Sequence, residues 1–313
     1  MGNAPLVSIA MCTYNGAVYL QEQLDSLVEQ TYANLEIVIV DDGSSDESIA
    51  IINKYTNRYK NIRLIINDIN LGYSRNFEKA IGLCSGDLIA LCDQDDIWDS
   101  EKIAIMVEHI GDLMLIYHDS LFIDEEGRSL DKKISDIRNC YSGSDARVFL
   151  FENCVSGHAM LFRKDLINLA SGFKPEIAHD WWLAYVATNT GSILFLNKAL
   201  VQYRQHRSAS TDILRQKTKL VKKLGSIEKL DRQLYIFRVF SNFSNNKHVD
   251  FTSGILRLME SRVQSYFSFT LFAAIAKNHK VLLYIQRKSA FSKFNFILKF
   301  LWGYKLKMLF RSE

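Results

Sequence analysis

Three carboxylates fall within four residues at Asp93-Gln94-Asp95-Asp96, directly after the apolar run Leu88-Ile89-Ala90-Leu91-Cys92. Side chains of an extended chain alternate faces, so Asp93 and Asp95 can point the same way where the run gives way to a loop. Two carboxylates so placed repel, and each raises the other's pKa unless a cation lies between them. A hard divalent ion, Mg²⁺ or Mn²⁺, meets that need, because such ions take oxygen ligands and are commonly shared with the phosphates of a substrate. An acidic surface turn after a buried strand would look the same in isolation. The elements around the cluster must decide what it is for.

Those elements alternate between strand and helix. Residues 6–11, 35–40 and 62–66 are short runs rich in Ile, Val and Leu, each bounded by polar residues, and they read as buried strands. Between them Leu20, Leu24, Leu27 and Val28, then Ile49, Ile52 and Tyr55, then Phe77, Ala80 and Ile81 recur at helical spacing. Ser45, Glu47 and Ser48 supply capping chemistry for the second of these helices. The order implies a parallel sheet with right-handed crossovers and helices on both faces, and ligands of such sheets bind beyond the carboxyl ends of the strands. Those ends carry Thr13-Tyr14-Asn15-Gly16, Asp41-Asp42-Gly43-Ser44-Ser45-Asp46 and the opening cluster. Three polar groups meeting at one sheet edge suit a nucleotide. Neither G-x-G-x-x-G after the first strand nor a P-loop is present, so a phosphate there would lean on metal and basic side chains.

Further along, residues 113–122 read as a strand pair and residues 124–145, polar and charged, as a loop or lid. Residues 146–151 suggest a short helix, 153–162 a turn feeding a strand, and Arg163-Lys164-Asp165-Leu166 a helix start. Another helix opens at Ala178-His179-Asp180-Trp181-Trp182, and strands at 193–196 and 199–203 lead to Arg204-Gln205-His206-Arg207.

At 313 residues, 48% hydrophobic and 23% charged, the chain is expected to fold, with room for one large domain or two smaller ones. Its five cysteines are odd in number, scattered and free of any C-x-x-C pair, which argues against a disulfide framework or zinc and for a reducing cytoplasm. Residues 1–13 lack the marks of a secretory signal, and the apolar stretch 263–276 is too short to span a bilayer. The net charge of +3 conceals a split, since residues 1–210 hold 18 Lys and Arg against 29 Asp and Glu while residues 211–313 hold 20 against 6. Such a basic segment suggests an anionic partner. Leu214, Leu220, Val221, Leu224, Ile227 and Leu230 alternate with Arg215, Lys217, Lys219, Lys222 and Lys223. Residues 290–310 set Phe291, Phe294 and Trp302 among Lys293, Lys299, Lys305 and Lys307, which describes a helix lying on an anionic leaflet. A helical subdomain packed on the first unit is equally compatible. No helix-turn-helix, zinc or RNA-binding signature accompanies the basic segment, so nucleic acid is not the expected partner.

In combination and in this order, Thr13-Tyr14-Asn15-Gly16, Val40-Asp41-Asp42-Gly43-Ser44-Ser45-Asp46, Asn70-Leu71-Gly72 with Ser74-Arg75-Asn76, Asp93-Gln94-Asp95-Asp96-Ile97-Trp98, Gly157-His158-Ala159-Met160 and His179-Asp180-Trp181 resemble family 2 glycosyltransferases of the GT-A fold, over roughly residues 5–210. The resemblance implies an α/β, Rossmann-like, mostly parallel sheet flanked by helices (1–210), followed by a C-terminal helical region (211–313). It implies that Asp42 hydrogen-bonds the base of a nucleotide-sugar donor, with Tyr14 against the ring and Thr13 and Asn15 on the loop, and that Arg75 reaches base or diphosphate. Asp93 would touch the ribose, and Asp95, with Asp93 and His206, would hold Mg²⁺ or Mn²⁺. Asp96 would support the turn. Gly157 would let the backbone approach the donor sugar, with His158 lining that pocket. Asp180 would be the base of an inverting transfer, with Trp181 and Trp182 a stacking surface for a pyranose. The forms Asp-Gln-Asp-Asp-Ile-Trp, His-Asp-Trp-Trp and Tyr-Arg-Gln-His look most like the rhamnosyltransferase-like branch. That branch implies dTDP-rhamnose or a UDP-sugar as donor, a polyprenyl-linked bacterial surface polysaccharide as acceptor, and a peripheral place on the inner face of the cell membrane. A non-catalytic nucleotide-sugar or glycan-binding module on the same fold is the alternative. A nucleotidyltransferase would need a basic, glycine-rich loop that residues 13–16 do not offer.

Overall fold

The computed structural model describes residues 4–206 and 226–309. Its first half follows the apolar periodicity closely: β1 (Val7–Thr13), α1 (Ala17–Val28), β2 (Leu35–Asp41), α2 (Ser48–Arg58), β3 (Ile62–Ile66), α3 (Tyr73–Gly82) and β4 (Leu88–Cys92). Every residue of β1 and β4 is buried, as the near-continuous hydrophobic runs of a sheet covered on both faces require. The chain continues through β5 (Ile97–Trp98), α4 (Lys102–Ile110), β6 (Leu115–Ile123), β7 (Ser129–Lys133), α5 (Ile134–Ile137), a 3₁₀ turn (Ala146–Phe149) and a second (Gly157–Ala159). Then come β8 (Met160–Arg163), α6 (Asp165–Ala170), α7 (His179–Thr190) and β9 (Ile193–Arg204). The remaining helices are α8 (Ser226–Ser241), α9 (Val249–Val263), α10 (Phe269–Lys277), α11 (His279–Leu282), α12 (Ala290–Leu298) and α13 (Tyr304–Leu309).

The sheet has nine strands in the order β3-β2-β1-β4-β8-β6-β9-β5, with β7 paired to β6. Strands β3, β2, β1 and β4 run parallel, β8 is antiparallel to both β4 and β6, and β6 and β9 are again parallel. It is a mixed α/β sheet, mostly parallel, and its carboxyl edge gathers the three polar loops. The expected strand pair at 113–122 is the single strand β6, and the two expected final strands are one strand, β9, with a register shift opposite His118 and Asp119. The span 124–145 is not a featureless loop: β7 and α5 lie inside it. The second helix takes no side-chain cap from Ser45, Glu47 or Ser48; instead Asp46 accepts from the amides of Ser48 and Ala17.

Two hydrophobic clusters lie on opposite faces of the sheet. One unites Val7, Ile9 and Met11 of β1 with Leu20, Leu24 and Leu27 of α1 and Ile103 and Met106 of α4. The other joins Ala10 and Cys12 to Phe77 of α3, Trp182 and Tyr185 of α7, and Leu234, Phe237 and Phe240 of α8. The Tyr185 and Phe240 rings stack with centroids 3.9 Å apart, and the Tyr185 hydroxyl donates to the Phe240 carbonyl at 3.0 Å. The C-terminal helices therefore pack on the α7 face. Trp182 is spent in that packing and is 1% exposed, so it offers no surface to a sugar. The expected division near 210 and the apolar and basic positions from Leu214 to Lys223, with the Ile227 side chain, lie outside what is described. All five cysteines are free, and among the described residues no helix is long and apolar enough to cross a membrane.

Candidate active site at the carboxyl edge of the sheet

A cavity of about 700 Å³ opens at the ends of β1, β2, β4 and β9, inside the range of about 300–1,000 Å³ common for small-molecule sites. The loop after β1 enters it from one side. Thr13 donates its hydroxyl to Asp41 at 2.7 Å, Asn15 sits at φ 47°, and its side-chain oxygen accepts from the Ser45 amide. Tyr14, 49% exposed, presents its ring to the cavity. Its amide donates to the Gln94 side-chain oxygen at 2.8 Å, and its carbonyl accepts from the Gln94 nitrogen at 3.1 Å. Gln94, the residue between Asp93 and Asp95, thus ties the first loop to the acidic one. A Cβ on Gly16 would collide with that carboxamide, which is why a glycine follows Asn15.

Asp42 lines the cavity, and its carboxylate accepts from the amides of Leu71 and Gly72 at 2.8 Å each and from Asn67 at 2.7 Å. It therefore closes the β2 end onto the Asn70-Leu71-Gly72 turn while keeping one edge toward the cavity. Arg75 is exposed on α3 and is not a lining residue; Tyr73 and Asn76 of that helix are. The Tyr73 hydroxyl donates to Asp93 at 3.2 Å.

The acidic loop separates into two depths. Asp93 and Asp95 line the cavity. Asp96 is fully buried beneath them, accepts from the Arg204 amide at 3.0 Å, and leaves its second oxygen without a hydrogen-bond partner among the described residues, with His158 Nδ1 3.8 Å away. Burial, then the nearby Asp95 charge, pushes the Asp93 carboxyl up to about 7, and the same causes raise Asp96. His206, just past β9, reaches Asp95 with Nε2 at 2.9 Å. His158 does not line the cavity. It is 3% exposed, bonded through Nε2 to Ser120 Oγ at 2.9 Å, and covered by the Tyr203 ring at 4.3 Å. Its ligand atom and those of Asp93 and Asp96 lie within 4.8 Å of one another. Lys102, buried below, donates to the His158 carbonyl at 2.6 Å. The donor set, hard carboxylate oxygens with a histidine nitrogen and an unpaired buried oxygen, fits a divalent cation. Asp93 belongs to both possible groupings, but only Asp95 and His206 share the open cavity with it.

Arg204 is a residue that spacing did not single out. Its side chain is 2% exposed. It donates to the carbonyls of Asp95 and Glu125 at 2.9 and 3.1 Å and to the Glu22 carboxylate at 2.5 Å, and it stands 4.7 Å over the Tyr19 ring. It fixes α1, the turn after β6 and the acidic loop in one frame. The signal was present in Tyr203-Arg204-Gln205-His206, where the histidine drew the attention.

Asp180 opens α7, half-buried and outside the cavity lining. Burial lifts its carboxyl to about 6, and the nearby Arg138 charge and hydrogen bonds oppose the rise. Its negative charge adds to the rise of the Asp93 carboxyl, after burial and Asp95. Gly157 packs against the neighbouring His179, whose Nε2 would lie 3.1 Å from a Cβ there. Burial holds His158 near 3 and His179 near 4, so both rings are neutral at pH 7.

With this edge described, comparison with known proteins is decisive. The profile of Glycosyl transferase family 2 matches residues 8–169. The chain belongs to that family. A glycosyltransferase of Haemophilus influenzae is 28% identical over 225 residues, which cover 68% of this chain and 69% of that protein. The putative glycosyltransferase EpsH of Bacillus subtilis is 30% identical over 221 residues, covering 66% of this chain and 62% of EpsH. Among solved structures, S. aureus TarS in complex with UDP-GlcNAc superposes with a TM-score of 0.58 at 17% identity, covering 88% of this chain and 81% of TarS. The mannosyltransferase PcManGT of Pyrobaculum calidifontis, with GDP-Man and Mn²⁺, gives 0.53 at 15% identity, covering 99% and 88%. These likenesses establish a GT-A-like fold for this family 2 glycosyltransferase.

Proposed function

We propose that this glycosyltransferase moves a sugar, with inversion, from a nucleoside-diphosphate sugar to a glycan acceptor, in a metal-dependent reaction. The observation that carries the reading is the convergence of Asp42, Tyr14, Asp93, Asp95 and His206 on one cavity, together with a carboxyl lifted to about 6 at Asp180. Tyr14 and Asp42 receive the base, with Thr13 and Asn15 shaping the loop beneath it. Asp93 meets the ribose and shares with Asp95 and His206 the holding of Mg²⁺ or Mn²⁺. When bound, that ion is the Lewis acid that offsets charge on the departing diphosphate. Asp180 takes the proton of the acceptor hydroxyl, a poor nucleophile at neutral pH, and a carboxyl near 6 is ionised at pH 7 yet basic enough to accept it. Gly157 and His158 act indirectly in this scheme, through His179 and Tyr203, and Arg75 contributes its charge from α3, outside the lining.

The motif forms favour the rhamnosyltransferase-like branch, with a dTDP-sugar such as dTDP-rhamnose ahead of a UDP-sugar, and a lipid-linked bacterial surface polysaccharide as acceptor. Residues 1–210 serve as the transfer domain. Residues 211–313 serve as a basic helical unit that keeps the enzyme peripheral at the inner, anionic face of the membrane. The full chain is to be incubated with Mn²⁺ and a panel of dTDP-, UDP- and GDP-sugars while binding is followed by calorimetry and turnover by nucleotide release. Saturable, metal-dependent binding of one nucleotide class with release of its diphosphate is the expected result. Binding without turnover for every donor and acceptor would favour a glycan-binding module.

A further inference from the structure

A second cavity, of about 270 Å³, lies wholly within the C-terminal helices and is lined by Lys229, Arg262, Lys299, Phe296, Phe300 and Tyr304 among others. Three of its walls are cationic, and no carboxylate lines it among the described residues. Arg262 is 5% exposed. Its Nε donates to the Trp302 carbonyl at 2.9 Å and its Nη2 to the Lys299 carbonyl at 2.6 Å, while the guanidinium stands 5.2 Å over the Phe300 ring. A guanidinium has five N–H donors, so those two bonds leave several uncommitted. No ion pair reaches it among the described residues. Glu260, its nearest acid in sequence, is paired with Arg238 at 2.9 Å, and Glu228 and Asp231 flank Lys229 on α8 without lining the cavity. A buried, unpaired cation is costly to fold around, and an anion is what relieves it.

The sequence reinforces the point. Between Glu260 and Glu313 there are ten Lys and Arg and not one Asp or Glu. The same segment also exposes aromatic rings outside the cavity lining. Phe267 stands 5.7 Å from Trp302 and 5.9 Å from Phe269, and all three are more than a third exposed, with Phe291 at 73% and Phe294 at 52%. Trp302 is the residue whose carbonyl accepts from Arg262, and its backbone pairs with Phe267, so this exposed aromatic group is joined to the cavity through the main chain. Exposed aromatics beside lysines are the composition of a membrane-interface surface.

We infer that this cavity binds the phosphate of an anionic membrane lipid, with Arg262 gripping the phosphate oxygens from below, Lys229 and Lys299 closing over it, and the Phe267, Phe269 and Trp302 rings resting in the headgroup layer. The inference rests on the reading that the enzyme works at a membrane surface, and it adds a phosphate-specific site to what would otherwise be general attraction. A planar guanidinium matches phosphate in two-point hydrogen bonding, which a lysine-rich surface alone does not.

The test is sedimentation of the full chain with neutral phosphatidylcholine vesicles and with vesicles containing phosphatidylglycerol. It compares the parent with the pair Lys229→Glu/Lys299→Glu and with a control pair of equal charge change, Lys280→Glu/Lys288→Glu, whose lysines are exposed elsewhere on the segment. Thermal melts establish that each variant is folded. Each surface lysine contributes several-fold to vesicle affinity; the expected result is that the cavity pair loses at least about tenfold more than the control pair. Equal losses would reduce the cavity to general charge and overturn the site while leaving membrane association standing. A parent that ignores anionic vesicles would overturn the membrane reading as well. Calorimetry with inorganic phosphate is the remaining arm: saturable binding that the cavity pair abolishes, together with unchanged vesicle binding, would reassign the cavity to a soluble phosphate.

Discussion

The cavity at the sheet edge and the cavity in the C-terminal helices are lined by side chains of opposite charge. At the sheet edge, Asp93 and Asp95 line about 700 Å³, and the buried cations nearby are committed elsewhere, Arg204 to Glu22 and backbone carbonyls and Lys102 to the His158 carbonyl. In the C-terminal helices, Lys229, Arg262 and Lys299 line about 270 Å³ with no carboxylate among the described walls. A carboxylate-lined site can hold a diphosphate only with a cation between them, so its occupancy is tied to metal and its ligand leaves when the chemistry is done. A cation-lined site needs no metal and no chemistry, and it suits retention. Under the proposed function, the charge split of the sequence, 29 acids against 18 bases before residue 211 and 6 against 20 after it, is a division of labour between turning a substrate over and staying in place.

The sharpest way to break that division is at Asp180. Asp180→Asn should lower transfer by about 10²–10⁴-fold, the contribution of a positioned general base, with donor binding at the edge cavity and vesicle binding both retained. Transfer within a few-fold of the parent would remove Asp180 as the base. The carboxyl is raised to about 6 and is active when ionised. With saturating metal, which keeps the Asp93 carboxylate ionised, the rate should therefore be flat above pH 7 and fall about tenfold per pH unit below 6, a limb absent from the Asn variant.

Phe240→Ala addresses whether the two regions share a core. The ring is fully buried and stacks on Tyr185 of the helix that Asp180 opens. Its truncation should cost about 3–5 kcal/mol in denaturant unfolding, with one transition observed by probes in both halves. A change under about 1 kcal/mol, or two separate transitions, would mean the C-terminal helices fold independently of the sheet.

Chelation separates the cavities by mechanism. Asp95→Asn, or removal of divalent metal, should weaken donor turnover by about two orders of magnitude, the several kcal/mol a Lewis acid supplies. Neither should move vesicle binding, because no carboxylate lines the second cavity among the described residues. Vesicle binding that falls with EDTA would erase the contrast.

What the sequence disclosed of these two sites differs for a physical reason. The edge cavity is assembled by topology from loops that each follow a strand, so local runs of Asp, Asn and Thr already placed Thr13, Asp42, Asp93 and Asp95 together. The third dimension corrected the details. Trp182 went to the core because α8 arrives to cover it, His158 went beneath Tyr203, and Arg75 stayed exposed on α3, outside the lining. The C-terminal cavity joins residues 229, 262 and 299, brought together only by packing of α8, α9 and α12, and no period or spacing announces it. The same packing interrupts the single helix expected at 290–310. The Leu301 carbonyl accepts from the Ser268 amide, and the Gly303 amide donates to Tyr266, so residues 301–303 leave helical geometry to pair with the connection between α9 and α10. Apolar periodicity over such a stretch records which residues are buried and says little about where the backbone turns.

The smallest predicted effect concerns Gln94, the spacer of the acidic motif. If the spacer merely separates two ligands, its side chain should not matter. Here its carboxamide makes two hydrogen bonds to the backbone of Tyr14, so it holds the loop that receives the base in register with the loop that receives the metal. Gln94→Ala removes both bonds from a partly exposed site, where each contributes about 0.5–1.5 kcal/mol. The expected result is a rise of several-fold to about tenfold in the donor's KM with kcat little changed, since the bonds shape binding and touch no reacting atom. Gln94→Glu retains the acceptor oxygen for the Tyr14 amide and sets a carboxylate against the Tyr14 carbonyl, so it should weaken donor binding at least as much as Ala. Vesicle binding is again the internal control. If it shifts with donor affinity, the two cavities are coupled through the fold and do not act as the separate devices their opposite charges suggest.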